Sequence, residues 1–221
     1  MPGEIAAVVL DVDGTVVTCP YDFDAMRAAV GEVAARYGLN TASFSVTGVL
    51  EQIGAGARLL GERGGEFRVR AEGAVEEIEV AAAGTASIIP GARDALDALR
   101  GKGIAVALIT RNCRAAARTV LEGLDCYDVL LTRDDVPNVK PDPDHVLRSL
   151  ARVAGTPERA AMVGDHAFDM QAGKAARVQV CLGVLTGGST KASLLSSGAD
   201  TVLDSLAAVP GWLTAYQERR R

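Results

Sequence analysis

Ile5-Ala6-Ala7-Val8-Val9-Leu10-Asp11-Val12-Asp13-Gly14-Thr15 is the stretch on which the fold turns. Six apolar residues, three of them β-branched, run without a polar break and stop at Asp11. Unbroken rather than alternating apolarity belongs to a strand buried on both faces, as in a parallel sheet covered by helices. The acidic pair Asp11 and Asp13 then falls where that strand ends, and Gly14 permits a sharp turn after it.

Working outward, four more runs of the same kind occur at 104–109, 129–131, 160–163 and 178–182. Stretches with helical spacing lie at 92–100, 114–124, 144–154 and 168–176. Pro90-Gly91 opens the first of these and Gly101-Lys102-Gly103 stops it. Strands alternating with helices predict an α/β fold with a doubly wound, parallel, Rossmann-like sheet.

Residues 19–87 break the rhythm. They hold no strand-like run of comparable strength and read as three helices, at 24–37, 46–60 and 66–83. Gly54, Gly56, Gly61, Gly64 and Gly65 interrupt the middle, which is expected to be a loose central turn. The expected division is a core of 1–18 with 88–221 and a small all-helical unit of 19–87, inserted after the first strand.

The chain has 221 residues, 48% hydrophobic and only 4% aromatic, so Ala, Val, Leu and Ile build the core. The net charge is -5 and the sequence pI about 5.1. That balance argues against nucleic acid as a partner, since phosphate-backbone affinity comes from Lys and Arg. Cys19, Cys113, Cys126 and Cys181 show no CxxC spacing and read as free thiols. The first residues lack the basic segment and long apolar run of a secretory signal, and no stretch approaches bilayer length. A cytoplasmic protein with no membrane partner, monomeric or a small homo-oligomer, is the expectation.

Open α/β sheets gather reacting groups at the carboxyl ends of their strands. Here those ends read Asp11-Val12-Asp13-Gly14-Thr15, then Thr110-Arg111-Asn112, then Lys140-Pro141 in the loop after the third strand, then Gly164-Asp165 with Asp169 four residues on. Several carboxylates converging with one lysine are costly unless a cation offsets them. All candidate ligands are oxygens, which favours Mg²⁺ over zinc. The histidines His145 and His166 read as surface residues. The loop Gly183-Val184-Leu185-Thr186-Gly187-Gly188 has the glycine spacing of a phosphate loop but lacks the Gly-Lys-Ser/Thr order, so no nucleotide is assigned to it.

These four segments, in this order, resemble the haloacid dehalogenase superfamily of hydrolases. The insert lies where that superfamily carries a small helical cap, in the branch with phosphoglycolate phosphatase and β-phosphoglucomutase. The resemblance implies a Mg²⁺-dependent phosphatase acting on small phosphorylated metabolites. It makes Asp11 the nucleophile that forms a phospho-aspartate, and Asp13 the acid that protonates the leaving oxygen and then activates water. Thr110, with the backbone of Arg111 and Asn112, would hold the phosphoryl oxygens. Lys140 would neutralise their charge. Asp11, the Asp13 carbonyl and Asp165 would hold Mg²⁺, and Asp169 either joins them or holds Lys140. The dehalogenase branch has no acid two residues after its nucleophile, so Asp13 points to phosphoryl transfer. A phosphomutase shares this machinery, and a non-catalytic phospho-metabolite binder is the remote alternative. Arg111 stands where the superfamily often has Asn, and faces either substrate or solvent. Arg27, Arg58, Arg63, Arg68 and Arg70 of the insert read chiefly as helix-surface charges.

Overall fold

A computed structural model describes residues 3–46 and 48–220. The described residues form two compact units, one of Met1–Cys19 with Ala86–Arg221 and one of Pro20–Thr85.

The first unit is built on a six-stranded parallel sheet. In chain order, its strands are β1 (Ala7–Asp11), β4 (Ala105–Ile109), β5 (Val129–Leu131), β6 (Ala160–Gly164), β7 (Val180–Val184) and β8 (Thr201–Leu203). Across the sheet the order is β5-β4-β1-β6-β7-β8, so β1 lies between β4 and β6. Two short strands, β2 (Val17–Thr18) and β3 (Ser87–Ile88), pair antiparallel at the two crossings between the units.

The helices of this unit are α4 (Ala92–Gly101), α5 (Arg114–Val120), α6 (Asp144–Arg152), α7 (Ala167–Ala175), α8 (Lys191–Ser196) and α9 (Val209–Glu218). Ala7, Val9, Ala107, Ile109 and Met162 on one sheet face pack against Val146 and Leu150 of α6, Met170 of α7 and Leu194 of α8. Val8, Leu10, Val106 and Leu108 point the other way and are also fully buried. Both faces are therefore dry, which is why the strands read as unbroken apolar runs. The structure adds β8, α8 and α9 to the expected elements. It also moves the last expected strand two residues on and ends the helix begun at Arg114 at Val120.

The helical unit contains α1 (Phe23–Arg36), α2 (Val49–Leu59) and α3 (Gly64–Ala83). Asp22 caps α1, its carboxylate accepting from the Ala25 N–H at 2.8 Å. Met26, Val30, Ile53, Phe67, Ala71 and Val75 form its core. Gly61 falls in the break between α2 and α3, as expected of an interrupting glycine, but two of the other glycines serve close packing. Gly54 and Gly56 lie inside α2. A Cβ on Gly56 would stand 2.6 Å from the Phe67 ring, and one on Gly64 would stand 2.1 Å from the Ala57 carbonyl oxygen. The insert's arginines behave mostly as surface charges: Arg27 pairs with Asp24, Arg68 with Glu72 and Arg70 with Glu66.

The four cysteines are free. No helix among the described residues is long and apolar enough to cross a membrane.

Candidate active site

β1 delivers Asp11 at its carboxyl end, and the chain then reverses within six residues. Val16 N–H and Val17 N–H both donate to the Val12 carbonyl, at 2.8 and 3.0 Å, and Gly14 N–H donates to the Val17 carbonyl at 2.7 Å. Gly14 has φ +84, and a Cβ there would also meet the Asp165 carboxylate at 2.6 Å. Both the backbone conformation and the space thus require glycine at this position.

Lys140 is the buried centre of the site. Its ammonium donates to Asp11 Oδ1 and, at 2.7 Å, to Asp169 Oδ1. Asp169 sits in the first turn of α7, where its Oδ2 accepts from the His166 N–H at 2.9 Å and closes a capping box. The end of β6 therefore supplies both Asp165 and, through α7, the residue that aims Lys140. Three glycines make room for these acids. A Cβ on Gly164 would stand 2.3 Å from Asp169, and one on Gly187 would stand 1.7 Å from Asp165. Gly14 is the third.

Asp13 is held from β4. The Thr110 hydroxyl donates to its Oδ2 at 2.7 Å and the Asn112 amide nitrogen to the same oxygen at 2.9 Å. The Thr110 hydroxyl in turn accepts from the Asn112 N–H at 3.1 Å. Arg111 lies between these two residues and turns its guanidinium onto the Phe168 ring, 4.7 Å from the ring centroid.

Four carboxylates thus meet one ammonium. Burial pushes the Asp11 carboxyl well above the usual range; Lys140 opposes this, while the charges of Asp169, Asp165 and Asp13 reinforce it. Burial and the Asp169 charge raise Asp165 as well. Lys140, despite its burial, is held above its ordinary value by Asp11 and Asp169. The excess of buried negative charge is the condition that a bound cation relieves. Asp11, Asp165 and Asp169 each offer a carboxylate oxygen, all within 4.8 Å of one another. An all-oxygen set of this size fits a hard divalent cation.

The structure brings together Asp11, Asp13, Thr110, Asn112, Lys140, Asp165 and Asp169, with Arg111 beside them. His145 corrects the sequence reading: it is fully buried, not a surface residue. Its Nε2 lies 3.1 Å from the Leu131 carbonyl, which also accepts from the Thr110 N–H at 3.0 Å. His145 thereby ties α6 to the strand ends that carry Thr110. His166 is exposed, as expected, and its Nδ1 accepts from the Phe168 N–H at 3.2 Å. The sequence reading also missed the loop after β7. Thr186 donates to the Gly14 carbonyl at 2.6 Å, and Gly188 N–H donates to Asp165 Oδ2 at 3.3 Å. The glycines of that loop were visible; that they wall in Asp165 depends on β7 lying next to β6.

Residues 5–177 match the haloacid dehalogenase-like hydrolase family. The chain is 34% identical over 219 residues to a plasmid-borne phosphoglycolate phosphatase of Cupriavidus necator, covering 94% of this chain and 93% of the relative. It is 30% identical over 227 residues to the phosphoglycolate phosphatase of Rhodospirillum rubrum, covering 94% and 90%. Among solved structures, a putative β-phosphoglucomutase of Thermotoga maritima superposes with a TM-score of 0.61, covering 96% of this chain and 99% of that one at 24% identity. That last likeness speaks for the fold alone. The sheet, with its acidic rim, is of the doubly wound α/β class. The chain belongs to the haloacid dehalogenase-like hydrolase family, as a phosphoric monoester hydrolase.

Proposed function

We propose that the protein hydrolyses small phosphomonoesters through a phospho-aspartate on Asp11. The observation that carries this is the buried Lys140 ammonium set between Asp11 and Asp169, at the edge of an all-carboxylate cluster. A carboxylate so placed is a nucleophile that needs no base, and the ammonium offsets charge as the phosphoryl group arrives.

In the first half-reaction an Asp11 oxygen attacks phosphorus and the bond from phosphorus to the alcohol oxygen breaks. Asp13 gives its proton to that oxygen, releasing the alcohol. In the second, Asp13 takes a proton from water, the hydroxide attacks phosphorus, and the bond to Asp11 breaks to release phosphate. Lys140 stays charged throughout, and Asp169 holds it in place. Asp11, Asp165 and the Asp13 backbone carbonyl would hold Mg²⁺, with Asp169 serving chiefly as the partner of Lys140. When bound, that ion supplies Lewis-acid stabilisation of charge on the phosphoryl oxygens. Thr110 and Asn112 orient Asp13.

The relatives at 34% and 30% identity are phosphoglycolate phosphatases, which favours water over a second sugar hydroxyl as acceptor and a small phosphorylated 2-hydroxy acid as substrate. The helical unit is proposed as the cap that selects substrates. Chelation is expected to abolish turnover and Mg²⁺ to restore it, with Ca²⁺ inhibitory because its longer bonds and looser coordination disturb the in-line geometry. Full turnover in excess chelator would rule the metal site out.

A further inference from the structure

A phosphomonoester that also carries a carboxylate brings extra negative charge to a rim already crowded with carboxylates. Lys140 is committed to Asp11 and Asp169. A further cation has to stand beside that rim if such a substrate is to be preferred, and Arg111 lies between Thr110 and Asn112, the two residues that hold Asp13.

Its backbone is pinned. Thr110 N–H donates to the Leu131 carbonyl at 3.0 Å, and Arg133 N–H donates to the Asn112 carbonyl at 3.2 Å. The Arg133 guanidinium, on a side chain only 7% exposed, donates to the Arg111 carbonyl at 3.4 Å. The Arg111 side chain is placed as well, by its stack on Phe168. Phe168 is in turn braced edge-on by His166, with ring centroids 4.7 Å apart. In the sheet, β1 lies between β4 and β6. A contact joining the loop after β4 to the helix after β6 therefore spans the carboxyl end of β1, where Asp11 and Asp13 stand. Stacking uses the flat face of a guanidinium, whereas carboxylate recognition uses its edge, so the two are compatible.

We propose that Arg111 reads a carboxylate on the alcohol half of the substrate, with Phe168 as its positioning residue. The proposal rests on the phosphatase reading above and adds to it the residue that sets preference. The probes are a phosphorylated 2-hydroxy acid, its uncharged carboxamide and a nitrophenyl phosphate, each assayed with Mg²⁺. The wild-type enzyme is expected to favour the acid over the amide by about tenfold or more in kcat/KM. Arg111→Gln is expected to collapse that ratio to near one, by raising KM for the acid while kcat changes less than about threefold. Arg111→Lys recovers part of the ratio, because the charge returns without the planar fork. Phe168→Leu lowers the ratio in the same sense but by less. Equal losses on acid and amide in Arg111→Gln, or no preference in the wild-type enzyme, would overturn the proposal and leave Arg111 a packing strut. Absence of turnover on all three esters by the wild-type enzyme would instead overturn the phosphatase reading, and this proposal with it.

Discussion

Two donors, the Thr110 hydroxyl and the Asn112 amide, fall on the same oxygen of Asp13. With Oδ2 so occupied, a proton carried by this carboxyl belongs on Oδ1. In Asp13→Asn the carboxamide oxygen takes both bonds, so geometry persists while the transferable proton is lost. Turnover of an alkyl phosphomonoester is expected to fall by about a hundredfold or more, and that of a nitrophenyl phosphate by less than about tenfold. Steady-state kinetics on the two esters checks this, and equal losses would remove Asp13 from the proton transfer. Asp11, Thr110 and Asp165 were legible in the sequence because each stands at the end of an apolar strand: Asp11 closes β1, Thr110 follows β4 and Asp165 follows β6. Phe168, His145 and Gly187 were not, because each acts through a neighbour supplied by a different strand or helix. A phenylalanine in a helix's first turn gives no sign that an arginine 57 positions earlier lies on its ring.

α6 carries the clearest consequence at the level of an element. His145 in its first turn is buried, and burial together with the Lys140 charge lowers it to about 4 from an ordinary 6.5. It is neutral in the folded chain, with the proton on Nε2, since its partner there is a carbonyl that only accepts. The unfolded chain binds this proton as pH falls through 6.5, while the folded chain does so only near 4. Stability from this group is thus intact above pH 6.5 and lost between there and about pH 4. At about 1.4 kcal/mol per tenfold change in proton affinity, the loss amounts to up to roughly 3 kcal/mol. Urea midpoints across that window should decline more steeply in the wild-type protein than in His145→Asn, which has no titrating ring. Parallel declines would show that His145 does not contribute. The elements with long apolar or amphipathic patterns were legible. β8 was not, with three half-buried residues, nor was α9, whose first turn holds Pro210 and Gly211. Gly56 misled because a glycine that breaks a helix and one that lets two helices touch look alike in sequence. Only the Phe67 ring against Gly56 distinguishes them.

At the scale of the molecule, the matched chemistry lies in one unit. Asp11, Asp13, Thr110, Lys140, Asp165 and Asp169 all belong to Met1–Cys19 and Ala86–Arg221, and none to Pro20–Thr85. Each unit has a core of its own, so the proposed division of chemistry from substrate selection can be tested by deletion. Replacing residues 22–85 by a short Gly-Ser linker is expected to leave a cooperatively unfolding core. That core should hydrolyse activated aryl phosphates slowly, keep the Arg111-dependent preference for acid over amide, and lose its preference among acids of different size and shape. Kinetics on an ester panel tests this. A truncated protein that keeps the full-length order among such acids would place specificity wholly in the sheet unit.

The covalent intermediate is open to direct capture. The enzyme would be mixed with a phosphomonoester and Mg²⁺, quenched within a turnover and reduced with borohydride, which converts an aspartyl phosphate to homoserine and releases its phosphate. Peptide mass spectrometry is expected to find homoserine at position 11 in the wild-type protein and nowhere in Asp11→Asn, which should also lack turnover. Homoserine at another position, or turnover by Asp11→Asn at the wild-type rate, would contradict the phospho-aspartate on Asp11.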